Sequence, residues 1–277
     1  MIPRGAITEW QAQVPWPQPY QVEQDLILSR LMVEIAQNEL LGGELVLRGG
    51  TCLHKLHLPK PFRYSEDLDY VRRTRSGIKP YIVALRSIAA EVGLEVSNVN
   101  ASGAMVHVYF DAEPTVPPGR IRIKIETNIA ETVPFRRTIT RPLRVESQWF
   151  RQEADVPTYE LEELMGTKLR ALYQREKGRD LFDLWLVLRD GQANADLIVG
   201  AFQHYMGDRA FTYPQLRQNL REKLDSDEFN ADMETLVTEV PVDYGVTAAA
   251  DMVIETLGCR LRNAPAVEEL SEGRWRQ

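Results

Sequence analysis

The chain has 277 residues, enough for one large domain or two ordinary ones, and its 44% hydrophobic and 26% charged residues are those of a globular protein. No apolar run is long enough to span a bilayer, and Met1-Ile2-Pro3-Arg4-Gly5 lacks the apolar core of a signal peptide. The only cysteines, Cys52 and Cys259, are far apart and lack metal-ligand spacing, which argues against a disulfide framework or a zinc site and fits a reducing cytoplasm. The net charge of −7 does not announce a nucleic-acid binder, but it is unevenly spread. Residues 1–150 carry 18 basic and 16 acidic side chains, the remainder 15 and 24. Residues 120–144 hold Arg120, Arg122, Lys124, Arg136, Arg137, Arg141 and Arg144 against Glu126 and Glu131. Such a patch suits a polyanion, and it suits a solvated hairpin equally well.

In chain order, Val22, Leu26, Leu28, Met32, Ile35, Ala36 and Leu40 recur at helical spacing and predict a helix over 21–41, ended by Gly42-Gly43. A short buried strand follows at 44–47, then a brief helix from Thr51 to about His57, stopped by Pro59 and Pro61. A second strand covers 67–72, and Lys79-Pro80 opens a helix that Gly93 closes. The period then changes to two, predicting strands at 94–98, 105–110 and 120–127. From Thr158 the pattern is helical, with helices expected at 160–174, 180–189, 195–207, 213–223, 228–237 and 244–262. These periods give an α/β chain with a soft domain boundary near residue 150 and a frayed tail beyond Ala264.

The chemistry concentrates between Val46 and Tyr70. Asp67 and Asp69 sit two apart in a strand and therefore share a face. Two carboxylates beside a glycine turn suit Mg²⁺ and a triphosphate, because Mg²⁺ prefers one or two carboxylates plus phosphate oxygens. Gly49 and Gly50 let backbone N–H groups come close to phosphate, and the helix opening at Thr51 adds its positive end. Arg48 is placed to reach a phosphate or pair with an acid, and Ser65 to hydrogen-bond Asp67 or phosphate. In Arg120-Ile121-Arg122-Ile123-Lys124-Ile125-Glu126 the isoleucines face a core and the charged residues share the other face. Lys168 stands in a line with Leu161, Leu164 and Leu172, so its ammonium must meet an anion or reach the rim. A bound phosphate and the carboxylate of Asp183 are the two candidate anions, while Asp180 reads as a helix N-cap. His54, His57, His107 and His204 form no recognisable constellation with Cys52 or a serine.

Gly-Gly followed by Asp-x-Asp resembles the nucleotidyltransferase superfamily. Within it, Arg48-Gly49-Gly50-Thr51 with Arg63-Tyr64-Ser65-x-Asp67-x-Asp69 resembles the AbiEii/AbiGii toxin family, which includes the mycobacterial MenT toxins and belongs to type IV-like toxin–antitoxin systems. Lys168-Leu169-x-Ala171-Leu172-x-x-Arg175-x-x-x-Arg179-Asp180-x-Phe182-Asp183 is similar to the family's third and fourth motifs, so the resemblance covers residues 40–190 or so. It implies an α/β (α+β) fold: a small mixed sheet flanked by helices over 1–150, a helical domain over 151–263 contributing Lys168 and Asp183, and a flexible tail over 264–277. It also implies Mg²⁺-dependent transfer of nucleotides from an NTP to the 3′ end of tRNA, which blocks aminoacylation and translation. The implied catalytic set is Asp67, Asp69, Glu126, Lys168 and Asp183, with metal on Asp67, Asp69 and Glu126. Arg48, Gly49, Gly50, Thr51 and Ser65 would bind nucleotide, and Arg120, Arg122, Lys124, Arg136 and Arg137 would meet tRNA. A cognate antitoxin is implied, in some members a kinase that modifies the serine equivalent to Ser65. A monomer is expected. The alternatives are transfer to a protein or small molecule, and a non-catalytic nucleotide- or partner-binding module on the same fold.

Overall fold

The computed structural model describes residues 2–207, 211–237 and 239–265; the expected tail lies outside them from residue 266 on. The chain divides into two compact units between Tyr159 and Glu160. Among the described residues no helix is long and apolar enough to cross a membrane.

The first unit opens with helices α1 (Arg4–Gln11), α2 (Pro19–Gln37) and α3 (Glu39–Glu44). Strand β1 (Leu45–Arg48) runs into α4 (Gly49–Cys52), which continues as a π-helical turn, Leu53–His57. Then come β2 (Asp67–Arg72), α5 (Lys79–Val92), β3 (Glu95–Ser102), β4 (Met105–Ala112), β5 (Ile121–Asn128), β6 (Ile139–Glu146) and β7 (Arg151–Thr158). These strands form one mixed sheet in the order β3-β4-β5-β2-β1-β7-β6. The pairs β2–β5 and β1–β7 are parallel and the other pairs antiparallel. The α/β class and a mixed sheet flanked by helices are thus as the sequence predicts.

Alternation explains which face is which. Ile121, Ile123 and Ile125 are fully buried, as are Val106, Val108 and Phe110 on β4, while Arg122, Lys124 and Glu126 point the other way. Helix α2 covers the apolar face and is pinned by buried polar contacts. The Asp25 carboxylate accepts the indole N–H of Trp10 at 2.8 Å and of Trp16 at 3.0 Å, and pairs with Lys55 at 2.8 Å. Gln24 Nε2 donates to the Arg122 carbonyl at 2.9 Å, joining α2 to β5.

Two local expectations are corrected. The predicted 21–41 helix ends at Gln37, because Asn38 turns extended and its side chain accepts from the Leu40 and Leu41 N–H groups, capping a new helix. Gly42 and Gly43 lie inside that second helix rather than after the first. A Cβ at Gly42 would stand 2.2 Å from the Ala36 carbonyl oxygen, so close backbone approach is what requires this glycine. The hairpin β6–β7 has no counterpart in the sequence reading. Its strands are dominated by charged and polar residues and contain Pro142 and Pro157, which masks the apolar alternation. Thr158 nevertheless anchors β7 to β1, its hydroxyl donating to the Leu47 carbonyl at 2.8 Å.

The second unit is helical: α6 (Leu161–Gln174), α7 (Gly178–Leu188), α8 (Ala195–Met206), α9 (Tyr213–Leu224), α10 (Asp227–Ala231) and α11 (Val246–Thr256), then a 3-10 turn, Gly258–Arg260. Each lies where helical spacing predicts one, although α10 and α11 are shorter than expected.

Candidate active site

Strand register assembles the candidate residues of the first unit. Arg48 on β1 stands opposite Asp69 on β2, and Asp69 stands opposite Glu126 on β5. One step along, Asp67 stands opposite Lys124. Directly opposed residues share a face, so Arg48, Asp67, Asp69, Lys124 and Glu126 form one polar surface on the side away from the isoleucines.

The glycine pair closes against this surface. Gly49 has φ +83°, a left-handed conformation that favours glycine. A Cβ there would meet the Asp69 Oδ2 at 2.0 Å, and one at Gly50 would meet the Arg63 guanidinium at 2.2 Å. Thr51 is buried and turned inward, with its hydroxyl 2.8 Å from Ser65 Oγ and 2.6 Å from the Asp67 carbonyl oxygen. Its side chain therefore fixes the glycine turn to the Ser65–Asp67 segment. Ser65 is half-buried beside it.

Charges within the site are already paired. The Lys124 ammonium lies 3.0 Å from Asp67 Oδ2 and 3.0 Å from Glu126 Oε2. Burial alone would lower the Lys124 pKa, but Asp67 and Glu126 outweigh it and raise the pKa above the ordinary lysine value. Burial would likewise raise Glu126, yet Lys124 and His107 hold it below the ordinary carboxylate range. Of the two partners open to Arg48, the structure supplies an acid, Glu131 at 2.8 Å. Glu131 is positioned by Asn128, whose side-chain oxygen accepts the Ala130 and Glu131 N–H groups.

The donor chemistry fits a divalent cation. Hard carboxylate oxygens from Asp67 and Asp69 share a face, Glu126 stands alongside, and the Asp67–Glu126 pair already attracts one cationic group. Among the described residues no three His, Cys, Asp or Glu side chains converge as an all-protein metal cage.

The basic stretch of 120–144 is continuous in sequence but divided in space. Strands β5 and β6 are separated by β2, β1 and β7. Arg120 and Arg122 both pair with Asp111, at 2.8 and 3.0 Å, and keep 66% and 57% of their side chains exposed. Lys124 belongs to the acid surface instead. Arg136 and Arg137 are exposed between β5 and β6, and Arg144 pairs with Glu146 on the far edge strand.

Lys168 and Asp183 belong to the second unit. The buried Lys168 ammonium lies 2.8 Å from Asp183 and 3.2 Å from Asp180, and both aspartates are fully buried. Asp180 does not cap its helix; it sits in the first turn of α7 and also binds Arg175 at 2.7 Å. Burial would raise the Asp180 pKa, but Lys168 and Arg175 bring it below the ordinary value.

Sequence reading missed His107, which stands opposite Glu126 on β4 with its Nε2 3.3 Å from Glu126 Oε2. Spacing along the chain carries no trace of this contact. The alternation of Met105–Ala112 places His107 on the polar face, but the partner strand follows from register alone.

A seven-stranded mixed sheet flanked by helices, with a glycine turn packed on an acidic strand, is an α/β fold of the nucleotidyltransferase type. The fold is similar to that of MenT4, a nucleotidyltransferase toxin from Mycobacterium tuberculosis H37Rv, with a TM-score of 0.63 at 15% identity over 100% of this chain and 94% of that one. It is also similar to JHP933 from Helicobacter pylori, with a TM-score of 0.53 at 16% identity over 84% of this chain and 88% of that one. Residues 30–256 match the family described as nucleotidyl transferase AbiEii toxin, type IV toxin–antitoxin system, and the chain belongs to that family. No curated protein matches the sequence.

Proposed function

We propose that this member transfers a nucleotidyl group from an NTP to the 3′ end of tRNA, in a reaction that needs Mg²⁺. The observation that carries the reading is the shared face of Asp67, Asp69 and Glu126 beside the Gly49–Gly50 turn. Asp67 and Asp69, with Glu126 alongside, would hold the cation, which when bound supplies positive charge to the phosphates. The backbone at Gly49 and Gly50 receives the donor's phosphates. An acceptor hydroxyl beside Glu126 forms a new ester bond to the α-phosphorus. The bond to the bridging oxygen breaks, pyrophosphate leaves, and the hydroxyl proton passes to water by way of the Glu126 carboxylate. Such transfer depends on positioning and charge stabilisation more than on reactive side chains.

The proposal keeps Lys168 and Asp183 in the roles that the resemblance implies, a cation for nucleotide phosphate and a carboxylate that completes the site. Their support is chemical: an ammonium buried at a cost, fixed by two carboxylates. Ser65, half-buried beside the acids, is the proposed target of a silencing modification. A phosphoryl group there would add about −1.5 to −2 charges next to Asp67 and Asp69 and repel a triphosphate. Family membership supports a cognate antitoxin as partner.

The test is label transfer from each α-labelled NTP to total tRNA in Mg²⁺. Label on tRNA from the wild type, absent with Asp67→Ala/Asp69→Ala, is the expected result. Label on polypeptide instead would move the acceptor to protein.

A further inference from the structure

The polar face does not end at Glu126. Glu126 stands opposite His107 on β4, and His107 opposite Asn100 on β3. One step along, Lys124 stands opposite Tyr109, and Tyr109 opposite Asn98. Strands β3 and β4 therefore extend the acid-bearing surface with His107, Tyr109, Asn98 and Asn100, which the proposed chemistry does not use. The two rings are half-buried and the two asparagines exposed. The ring centroids lie 6.3 Å apart. The Arg122 guanidinium stands 6.0 Å from the Tyr109 ring, and Arg120 and Arg122 share the single carboxylate of Asp111.

We propose that this strip of β3 and β4 binds the acceptor as unpaired terminal RNA nucleotides, whose bases stack on Tyr109 and His107 while Arg120 and Arg122 meet their phosphates. The proposal rests on the nucleotidyl-transfer reading of Asp67, Asp69 and Glu126 and names the form in which the acceptor is held.

Three observations carry it. The first is position: β1 with its glycine turn lies on one side of β2, and β5 and β4 lie on the other. Donor phosphates at Gly49–Gly50 leave the β5 side to the acceptor. Strands lie about 4.8 Å apart, so the rings stand about 10 Å from the aspartates, within reach of the nucleotide that bears the attacking hydroxyl and of its neighbour. The second is chemistry: part-exposed aromatic rings on a sheet, flanked by amides and guanidiniums, take bases on the rings, base edges on the amides and phosphates on the arginines. The third is shape: the strip is a sheet face running to an edge strand, suited to an extended chain. Paired bases are already stacked on their neighbours, so the strip selects an unpaired end.

The experiment measures binding of fluorescent total tRNA to the full chain without NTP, and separately the tRNA and NTP dependence of label transfer. Wild type, Tyr109→Ala, Tyr109→Leu, Tyr109→Phe and His107→Ala are compared. Tyr109→Ala and Tyr109→Leu should each weaken tRNA binding roughly 5- to 100-fold and raise the tRNA KM in step. The NTP KM should hold, and Tyr109→Phe should stay near wild type. Tyr109→Leu keeps an apolar side chain on the strand, so the test survives if alanine unfolds the hairpin. Wild type should bind tRNA trimmed of its unpaired 3′ nucleotides as weakly as Tyr109→Ala binds intact tRNA. Transfer to tRNA with unchanged tRNA binding in the Tyr109→Ala and His107→Ala variants would overturn the strip and leave the proposed function standing. Tyr109-dependent tRNA binding without transfer would do the reverse. Neither binding nor transfer to tRNA by the wild type would overturn both.

Discussion

Asp69 fills the space that a side chain on Gly49 would need: a Cβ there would stand 2.0 Å from the Asp69 carboxylate oxygen. The glycine thus sets the position of an acid twenty residues later, in addition to allowing the left-handed turn at φ +83°. Gly49→Ala is expected to displace Asp69 and lower nucleotidyl transfer by about 100-fold, the scale of a 1 Å misplacement of a reacting group. Parallel kinetic and thermal-melting measurements would check it. Near-normal transfer would mean that the Asp69 position is not critical.

Lys124 gives the acid surface a built-in counterion. Chelating divalent metal with EDTA should therefore abolish transfer while leaving the thermal midpoint in place, and Mg²⁺ should restore activity. Lys124→Gln should tighten Mg²⁺ binding in the absence of nucleotide, because Asp67 and Glu126 lose their competing cation. Isothermal titration of both proteins measures this, and equal affinities would show that Lys124 does not compete with metal.

Asp67→Asn keeps the shape of the side chain and removes its charge. It should lower transfer by about 10²–10³-fold, the scale of a lost charge-stabilising group, with the fold retained by circular dichroism. Unchanged transfer would show that the reaction does not depend on the Asp67 charge.

Lys168→Ala removes the ammonium that pairs with the buried Asp180 and Asp183 carboxylates. Breaking a buried pair from one side costs about 3–5 kcal/mol, so the denaturation midpoint should fall sharply. A variant as stable as wild type would show that the cluster does not hold α6 to α7.

His57 buries both ring nitrogens without a hydrogen-bond partner. Burial, with Arg141 adding repulsion, lowers its pKa to about 4 from an ordinary 6.5. The unfolded chain therefore binds the proton more tightly than the folded one, and stability falls as pH drops from about 6.5 towards 4. His57→Leu should flatten that part of the stability profile. Parallel wild-type and variant profiles would place the acid sensitivity elsewhere.

Much of the fold was legible because its signals are local. The alternating isoleucines of β5, the glycine that closes α5 and the helical spacing after Thr158 each report a period that a short window contains. The hairpin β6–β7 was not legible, because proline and charge occupy positions that apolar residues would mark. Its strands are held by register to β1 and to each other rather than by an apolar stripe of their own.

By itself the sequence determined that Asp67 and Asp69 share a face, that a glycine pair precedes them and that a lysine lies in a line of buried leucines, because side-chain direction follows from backbone period. The folded chain adds the choice of which strands become neighbours. It set Asp69 opposite Glu126, Glu126 opposite His107 and Lys124 between two acids, and it separated the arginines of β5 from those of β6 by three strands. Pairing between strands is a long-range choice that no short window contains, and the charges of this site take their partners from it.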